Sequence, residues 1–329
     1  MSIQVIKAGI LDTVQDAGRY GYQQLGINPG GVMDRTAMRM ANALVGNEAG
    51  APVIEMHFPA AEMLFEETML VALSGADFSP RINGEEMPVH KPVCVREGAI
   101  LSFGKQIKGA RTYLAVKGGW KADNWLHSYS THLTVKAGGQ AGRALGKTDR
   151  LFPQQLQPYG LLNKESIFEA LPWQAAVSAF YQERSLRMIQ GYEFDTLTPA
   201  AKEILFSSSF TISRESNRMG YRLQGPPLLT TQTTELISTA VTRGTLQLLP
   251  DGQLIVLMAD HQTTGGYPRV GHLISADLAS LAQKNAGEPF SVSVVSVQEA
   301  ENILHRQEMD LQQLQNACNF RLAQYLLGV

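Results

Sequence analysis

Apolar and polar positions in this chain alternate over short distances more often than they recur at helical spacing. SIQVIKA at 2–8, TMLVALSG at 68–75, RTYLAVKGG at 111–119, SFTIS at 209–213, TLQLL at 245–249 and FSVSVVSV at 290–297 each read as strands. In the last of these Val292, Val294 and Val297 are interleaved with serines, close to the pattern of a strand with one buried face. Thirty glycines and fifteen prolines break these runs into short pieces. Such punctuation predicts a mainly β protein with a few helices, an α+β chain in class terms.

Helical spacing appears in four places. DRTAMRMANALVGN at 34–47 puts Ala37, Met40, Ala41, Leu44 and Val45 on one stripe, with Asp34 positioned to cap it and Gly46-Asn47 to stop it. TPAAKEILF at 198–206 has Thr before Pro, the order expected at a helix start. SADLASLAQKN at 275–285 carries Asp277 in its first turn, where negative charge favours the helix dipole. From about Gln298 to Leu327 the stripe Ile303, Leu304, Leu311, Leu314, Cys318, Leu322 and Leu326 predicts one long amphipathic helix.

A chain of 329 residues exceeds one ordinary core and predicts two domains. The weakly periodic stretch from Phe152 to Arg187 is the expected seam. We place an N-terminal β-rich part over 1–180 and a C-terminal part with the long helix over 181–329. Lys+Arg 28 against Asp+Glu 30 leaves no basic surplus to attract nucleic acid or an anionic membrane. No apolar run approaches the roughly 20 residues of a spanning helix. The opening MSIQVIKAGILDTVQDAG interrupts with Lys7, Asp12, Gln15 and Asp16 the apolar core an export signal needs. Two cysteines, Cys94 and Cys318, are too few for a disulfide framework, so a reducing cytoplasm is the expected location.

Several chemical signatures fail on inspection. GRALGKTD at 142–149 is one residue out of register with a phosphate loop, and Pro153 interrupts the helix such a loop must open; it reads as a glycine-rich turn. AMRM at 37–40 has Arg39 where a biotin-accepting lysine would stand, so no biotin is attached to this chain. Asp260 and His261 are adjacent, so on an extended strand they point to opposite faces and cannot chelate one ion unless the backbone turns there, and the other histidines lack chelating spacings, so no metal is expected. No GxSxG elbow is present, and Cys94 lies in a VCV run that reads as buried strand.

What remains is three clusters dense in glycine and polar side chains: TVQDAGRYGYQQLGINPGGVMD at 13–34, SRESNRMGYRLQG at 213–225 and MADHQTTGGYPR at 258–269. Glycine permits positive φ and close backbone approach, while Asp, Arg, Asn, Gln and Tyr supply donors and acceptors. Taken residue by residue, turn building explains most of them. Taken together they are candidates for the rim of a pocket where the strand LIVL at 254–257 ends.

These clusters, with ANALVGN at 41–47, IE at 54–55, SGAD at 74–77, YLAVKGG at 113–119 and GGQAGRALGKTD at 138–149, resemble the family that holds the C subunit of 5-oxoprolinase, allophanate hydrolase subunit 2 and the carboxyltransferase region of urea carboxylase. The resemblance covers nearly the whole chain. It implies a cyclophilin-like β-barrel architecture in two subdomains, carboxyltransferase-like over 1–180 and cyclophilin-like over 181–329. It implies a sister subunit as partner and a third subunit in the oxoprolinase case, where the complex uses ATP to open the lactam of 5-oxoproline and release glutamate. The carboxyltransferase relatives move a carboxyl group from carboxybiotin to urea or a related amide. A regulatory binding partner of the sister subunit is the remaining alternative. With a small amide or lactam as substrate, Asp16, Arg19, Arg218 and Asp260 are the expected catalytic residues and Asn217, Gln262, Thr263 and Tyr267 the expected substrate contacts.

Overall fold

A computed structural model describes residues 2–155, 166–181, 185–231 and 236–327. The chain forms two compact units that alternate along the sequence. Met1–Gly18, Asp34–Ala179 and Met309–Val329 make the first, and Arg19–Met33 with Phe180–Glu308 the second. The switch at Ala179 and Phe180 lies in the Phe152–Arg187 stretch, of which 156–165 and 182–184 fall outside the described residues. A boundary drawn at one point in sequence assigns 19–33 to the N-terminal part and the whole last helix to the C-terminal part. In the structure Met33 is instead part of the second unit's apolar core, and the end of the helix belongs with the first.

The first unit contains two six-stranded antiparallel sheets. One runs Arg150–Leu151, Ile3–Lys7, Glu62–Phe65, Ile100–Phe103, Pro80–Ile82, Glu85–Glu86; the other runs Phe168–Ala170, Pro92–Val95, Met69–Asp77, Lys108–Val116, Val53–His57, Thr13–Gln15. Alternation decides which side chains meet. Ile3, Val5, Phe65 and Leu101 from one sheet share a core with Ile54, Leu73, Leu114 and Val116 from the other. Helix α1, Arg35–Leu44, packs on Met69–Asp77 and Lys108–Val116. Its cap is the expected Asp34, whose carboxylate accepts from Ala37 N at 2.9 Å. The Asp34 N–H donates to the Tyr113 hydroxyl at 2.8 Å, and that hydroxyl donates to the fully buried Glu55 at 2.9 Å. This chain of bonds fixes the residue that follows the glycine-rich 19–33 segment.

The GRALGKTD stretch is a turn. Asp149 takes a forked pair of bonds from Arg143 at 2.6 and 2.8 Å and a third from Gly146 N at 2.7 Å. Gly142 has φ +65°, and a Cβ there would overlap the Lys136 carbonyl group.

The second unit is a closed barrel of seven strands in the order Ser185–Gln190, Arg269–Leu273, Thr245–Leu248, Leu254–Leu257, Gly220–Gln224, Phe210–Ile212, Pro289–Val294. The pairing that closes it, Ser185–Gln190 with Pro289–Val294, is parallel, and the others are antiparallel. Leu186, Met188, Leu246, Leu248, Val256, Leu223 and Phe290 fill the interior. Helix α2, Pro199–Ser207, begins with Thr198 accepting from Ala201 N at 3.1 Å. The expected helix over 275–285 is shorter. A 3₁₀ turn at Ser275–Asp277 leads into α3, Leu278–Ala282, and Asp277 accepts from Arg187 N, Nε and Nη2 at 2.7, 3.0 and 2.6 Å. Helix α4 runs Val297–Leu327, with Leu311, Cys318 and Leu322 buried as the stripe predicts. Tyr325 near its end donates to Glu169 at 3.1 Å and meets Trp173 edge-on. No described helix is long and apolar enough to cross a membrane.

Two buried groups give the first unit an opposed response to pH. Burial pushes the His90 imidazole, 3.1 Å from Ser74 Oγ, down to about 4. Burial pushes the Asp12 carboxyl up to about 7, although Ala61 N and His57 N both donate to it. The His90 contribution is full above the free imidazole value and is lost as pH falls toward 4; the Asp12 contribution is full below the free carboxyl value and is lost as pH rises through about 7. In calorimetric unfolding between about pH 7 and about pH 4.5, His90→Gln is expected to reduce the acid-side loss by on the order of 1–2 kcal/mol. Asp12→Asn is expected to deepen that loss. Identical pH slopes for both variants and the wild-type chain would contradict the assignment.

Candidate functional site

The site is built on the loop 19–33 of the second unit. Arg19, 1% exposed, donates its backbone N–H to Pro29 O at 2.7 Å and lies under Gly30. Gly30 and Gly31 have φ +62° and +87°. A Cβ on Gly30 would stand 2.7 Å from Arg19 Nη1 and 3.7 Å from Asp260 Oδ1. Glycine is therefore required there both by backbone conformation and by space. Asn28 donates from Nδ2 to the Asp260 carbonyl at 3.0 Å.

Arg218 enters from the SNRMGYRLQG cluster at the start of the strand Gly220–Gln224. Its Nε meets Asp260 Oδ2 at 2.8 Å and its Nη2 meets Asp260 Oδ1 at 3.2 Å, a forked ion pair. The same Nη2 donates to Gly31 O at 2.5 Å. The backbones are tied as well, Asp260 N to Arg218 O at 2.8 Å and Met258 N to Met219 O at 3.0 Å. Arg243, on the turn before Thr245–Leu248, donates to Val32 O at 3.1 Å and to Met33 O. Arg19, Arg218 and Arg243 thus surround residues 28–33, and Asp260 is the carboxylate set among them.

The strand Leu254–Leu257 ends in a turn that carries Asp260, His261 and Gln262. His261 is 3% exposed, and its Nδ1 lies 2.5 Å from the Gln262 carbonyl. A carbonyl cannot donate, so Nδ1 carries the proton and Nε2 keeps its lone pair. Burial holds the ring below the usual imidazole range, and the Arg243 charge pushes the same way. His261 is thus a neutral imidazole within the arginine cluster. The exposed Gln262 donates to Oε1 of the fully buried Gln247 at 3.3 Å. Thr264–Gly265 then pairs with Thr239–Ala240 in a two-stranded flap, with Val241 N on Thr263 O at 3.1 Å.

Of the expected residues, Arg19, Arg218, Asp260 and Gln262 are gathered in this place. Asp16 is not among them. It belongs to the first unit, where its carboxylate accepts from Gly18 N at 2.8 Å, Ser128 Oγ at 2.7 Å, Ser130 Oγ at 2.5 Å and Tyr129 N at 2.6 Å. These bonds close the 128–130 loop on the end of strand Thr13–Gln15. Asn217 is exposed and uses Oδ1 to accept from Met219 N at 2.8 Å, an Asx turn that aims Arg218. Thr263 is half-buried and contributes its carbonyl to the flap, and Tyr267 is exposed. Asn28, Arg243 and Gln247, which sequence reasoning passes over, lie in this cluster, as does His261, which it considers only as a metal ligand. For Gln247 a signal existed: a lone amide between Leu246 and Leu248 faces away from the barrel interior on a strand that is buried throughout.

The family model for the carboxyltransferase domain, subdomain A and B, matches residues 25–293. The chain is 37% identical over 312 residues to the C subunit of 5-oxoprolinase from Escherichia coli (strain K12), covering 95% of this chain and 97% of that one. It is 33% identical over 302 residues to the C subunit of 5-oxoprolinase from Haemophilus influenzae, covering 92% and 94%. Its fold matches the crystal structure of the K. lactis urea amidolyase with a TM-score of 0.84 and 26% identity, over 95% of this chain and 20% of that much longer one.

Removing one member of the Arg218–Asp260 pair strands the other with its charge desolvated. Arg218→Met is expected to lower the stability of the second unit by about 2–4 kcal/mol, measured by urea unfolding. Arg218→Met combined with Asp260→Leu is expected to recover part of that loss, whereas additive losses would show that the two groups do not interact.

Proposed function

The chain belongs to the family of the carboxyltransferase domain, subdomain A and B, and we propose that within it the chain serves as the C-type subunit of an ATP-dependent 5-oxoprolinase. The observation that carries this reading is the match to the C subunits of two 5-oxoprolinases over almost the full length of both chains. Subunits of that name imply partner chains, so this chain works in the cytoplasm as part of an enzyme complex with a sister subunit and a third subunit. ATP is consumed by the assembled complex.

The chemistry suits the residues gathered on the 19–33 loop. A lactam is a planar amide with a strong C–N bond, and opening it needs its carbonyl oxygen phosphorylated or its developing oxyanion steadied by fixed donors. 5-Oxoproline also carries a carboxylate. In this reading Arg19 and Arg218 hold that carboxylate, and Asp260 keeps the Arg218 guanidinium in one orientation. The neutral His261, with Nε2 unprotonated, accepts a proton from the attacking water and returns it to the lactam nitrogen as the C–N bond breaks. The fold match to the K. lactis urea amidolyase supports a second reading, a biotin-dependent carboxyltransferase acting on urea or a related amide. In that case the biotin is carried by another protein, since Arg39 stands at the acceptor position.

The test is reconstitution with the sister subunits. Phosphate release dependent on 5-oxoproline is expected, unaffected by avidin, and Asp260→Asn or His261→Ala is expected to lower it by about a hundredfold or more. Asn217→Ala is expected to stay within a few-fold. Loss of turnover on adding avidin would transfer the assignment to the carboxyltransferase reading.

A further inference from the structure

Among the described residues, two buried amide atoms near the turn 258–263 have no hydrogen-bond partner. One is Gln247 Nε2, on a side chain with no exposed surface; the other is Asn28 Oδ1. Each belongs to a side chain whose other end is fixed to that turn. Gln247 Oε1 accepts from Gln262, and Asn28 Nδ2 donates to the Asp260 carbonyl. Those bonds fix which end of each amide is left over, a donor on Gln247 and an acceptor on Asn28. Buried amide groups are rarely left so, because the cost of desolvation is not recovered.

The backbone beside Gln247 is shaped to leave the Nε2 group in place. A Cβ at Gly265 would overlap it, so any other residue at 265 would press on the amide. Gly265 belongs to a flap of two residues per strand, in which Thr239, Ala240 and Thr264 are all exposed. The exposed Gln262 side chain reaches from the surface to Gln247.

One leftover donor and one leftover acceptor, held by residues two apart on one turn, match a particular chemical edge. A lactam ring forces its amide to be cis, so its C=O and N–H lie on the same side. Glutamate, the opened product, lacks that edge. We propose that Gln247 and Asn28 are the specificity-determining pair of this site, Gln247 Nε2 donating to the carbonyl oxygen and Asn28 Oδ1 accepting from the N–H of an unsubstituted cis-amide. The inference rests on the reading that the turn 258–263 lies at the substrate site. It adds two residues, and a reason for the complex to release its product.

Ligand-observed NMR on the full chain, alone and in the reconstituted complex, tests the pair with 2-pyrrolidinone, N-methyl-2-pyrrolidinone and 5-oxoproline. The wild-type chain is expected to prefer 2-pyrrolidinone over its N-methyl analogue by about tenfold, and Asn28→Ala to abolish that preference. Gln247→Glu and Gln247→Met are expected to weaken both lactams by about tenfold with unfolding midpoints retained. Should the Gln247 variants fail to fold, the N-methyl comparison between the wild type and Asn28→Ala still decides. Equal binding of the two lactams by the wild type, undiminished binding by the Gln247 variants, or no lactam binding in either form would overturn the proposal. A complex that binds lactams through this pair yet never turns over 5-oxoproline would overturn the oxoprolinase reading and leave the pair standing.

Discussion

An arginine that leaves water must find acceptors for its guanidinium, and that demand organises the second unit. Arg218 is 6% exposed. It meets the demand with the Asp260 carboxylate and the Gly31 carbonyl, and so joins three stretches far apart in sequence. Remove the carboxylate and the guanidinium loses that countercharge in a desolvated place. Gly30 follows from the same constraint, because the loop can lie over Arg19 and beside Asp260 when no side chain intervenes. Arg243 repeats the device at Val32 and Met33. The assignment of 19–33 to the barrel unit, despite its place in sequence, is a consequence of these bonds together with the burial of Met33.

Much of the fold is readable from alternation alone. The strands expected at 2–8, 68–75, 111–119, 209–213, 245–249 and 290–297 are present within a few residues, and α1, α2 and α4 lie where their stripes and caps put them. Period-2 burial and capping are local, so a local pattern suffices. What escaped was non-local. Asp277 has the position of a helix-start acid, yet its carboxylate is taken by Arg187, ninety residues earlier, and the turn it sits in is 3₁₀. Asp16 has the surroundings of a functional carboxylate, dense in glycine and next to Arg19. Ser128, Tyr129 and Ser130, more than a hundred residues on, make it a structural one.

The site shows the same division. Arg19, Arg218 and Asp260 are legible because charged groups stand out among glycines. Asn28 and Gln247 are not, since a neutral amide in a loop or strand is ordinarily a turn former or a half-exposed strand residue. Their meaning depends on which of their four hydrogen-bonding positions the fold leaves unused, and that is a property of the assembled structure.

The two kinds of polar group divide the labour between them. The charged pair is costly to desolvate, and Arg218 spends Nε and Nη2 on Asp260 and Gly31, so the pair holds the site in one geometry. Arg218 commits Nε to Asp260 and shares Nη2 between Asp260 and Gly31, which locks the guanidinium plane. Neutral amides cost less to bury, so the barrel can carry one with its donor unsatisfied where it could not carry a bare charge. Discrimination follows from that residual cost. A ligand that satisfies the leftover donor and acceptor recovers it, and one that lacks the matching edge leaves it in place. Rigidity therefore comes from the ions and selectivity from the amides, and His261, kept neutral by burial beside Arg243, is held in the state that can accept a proton.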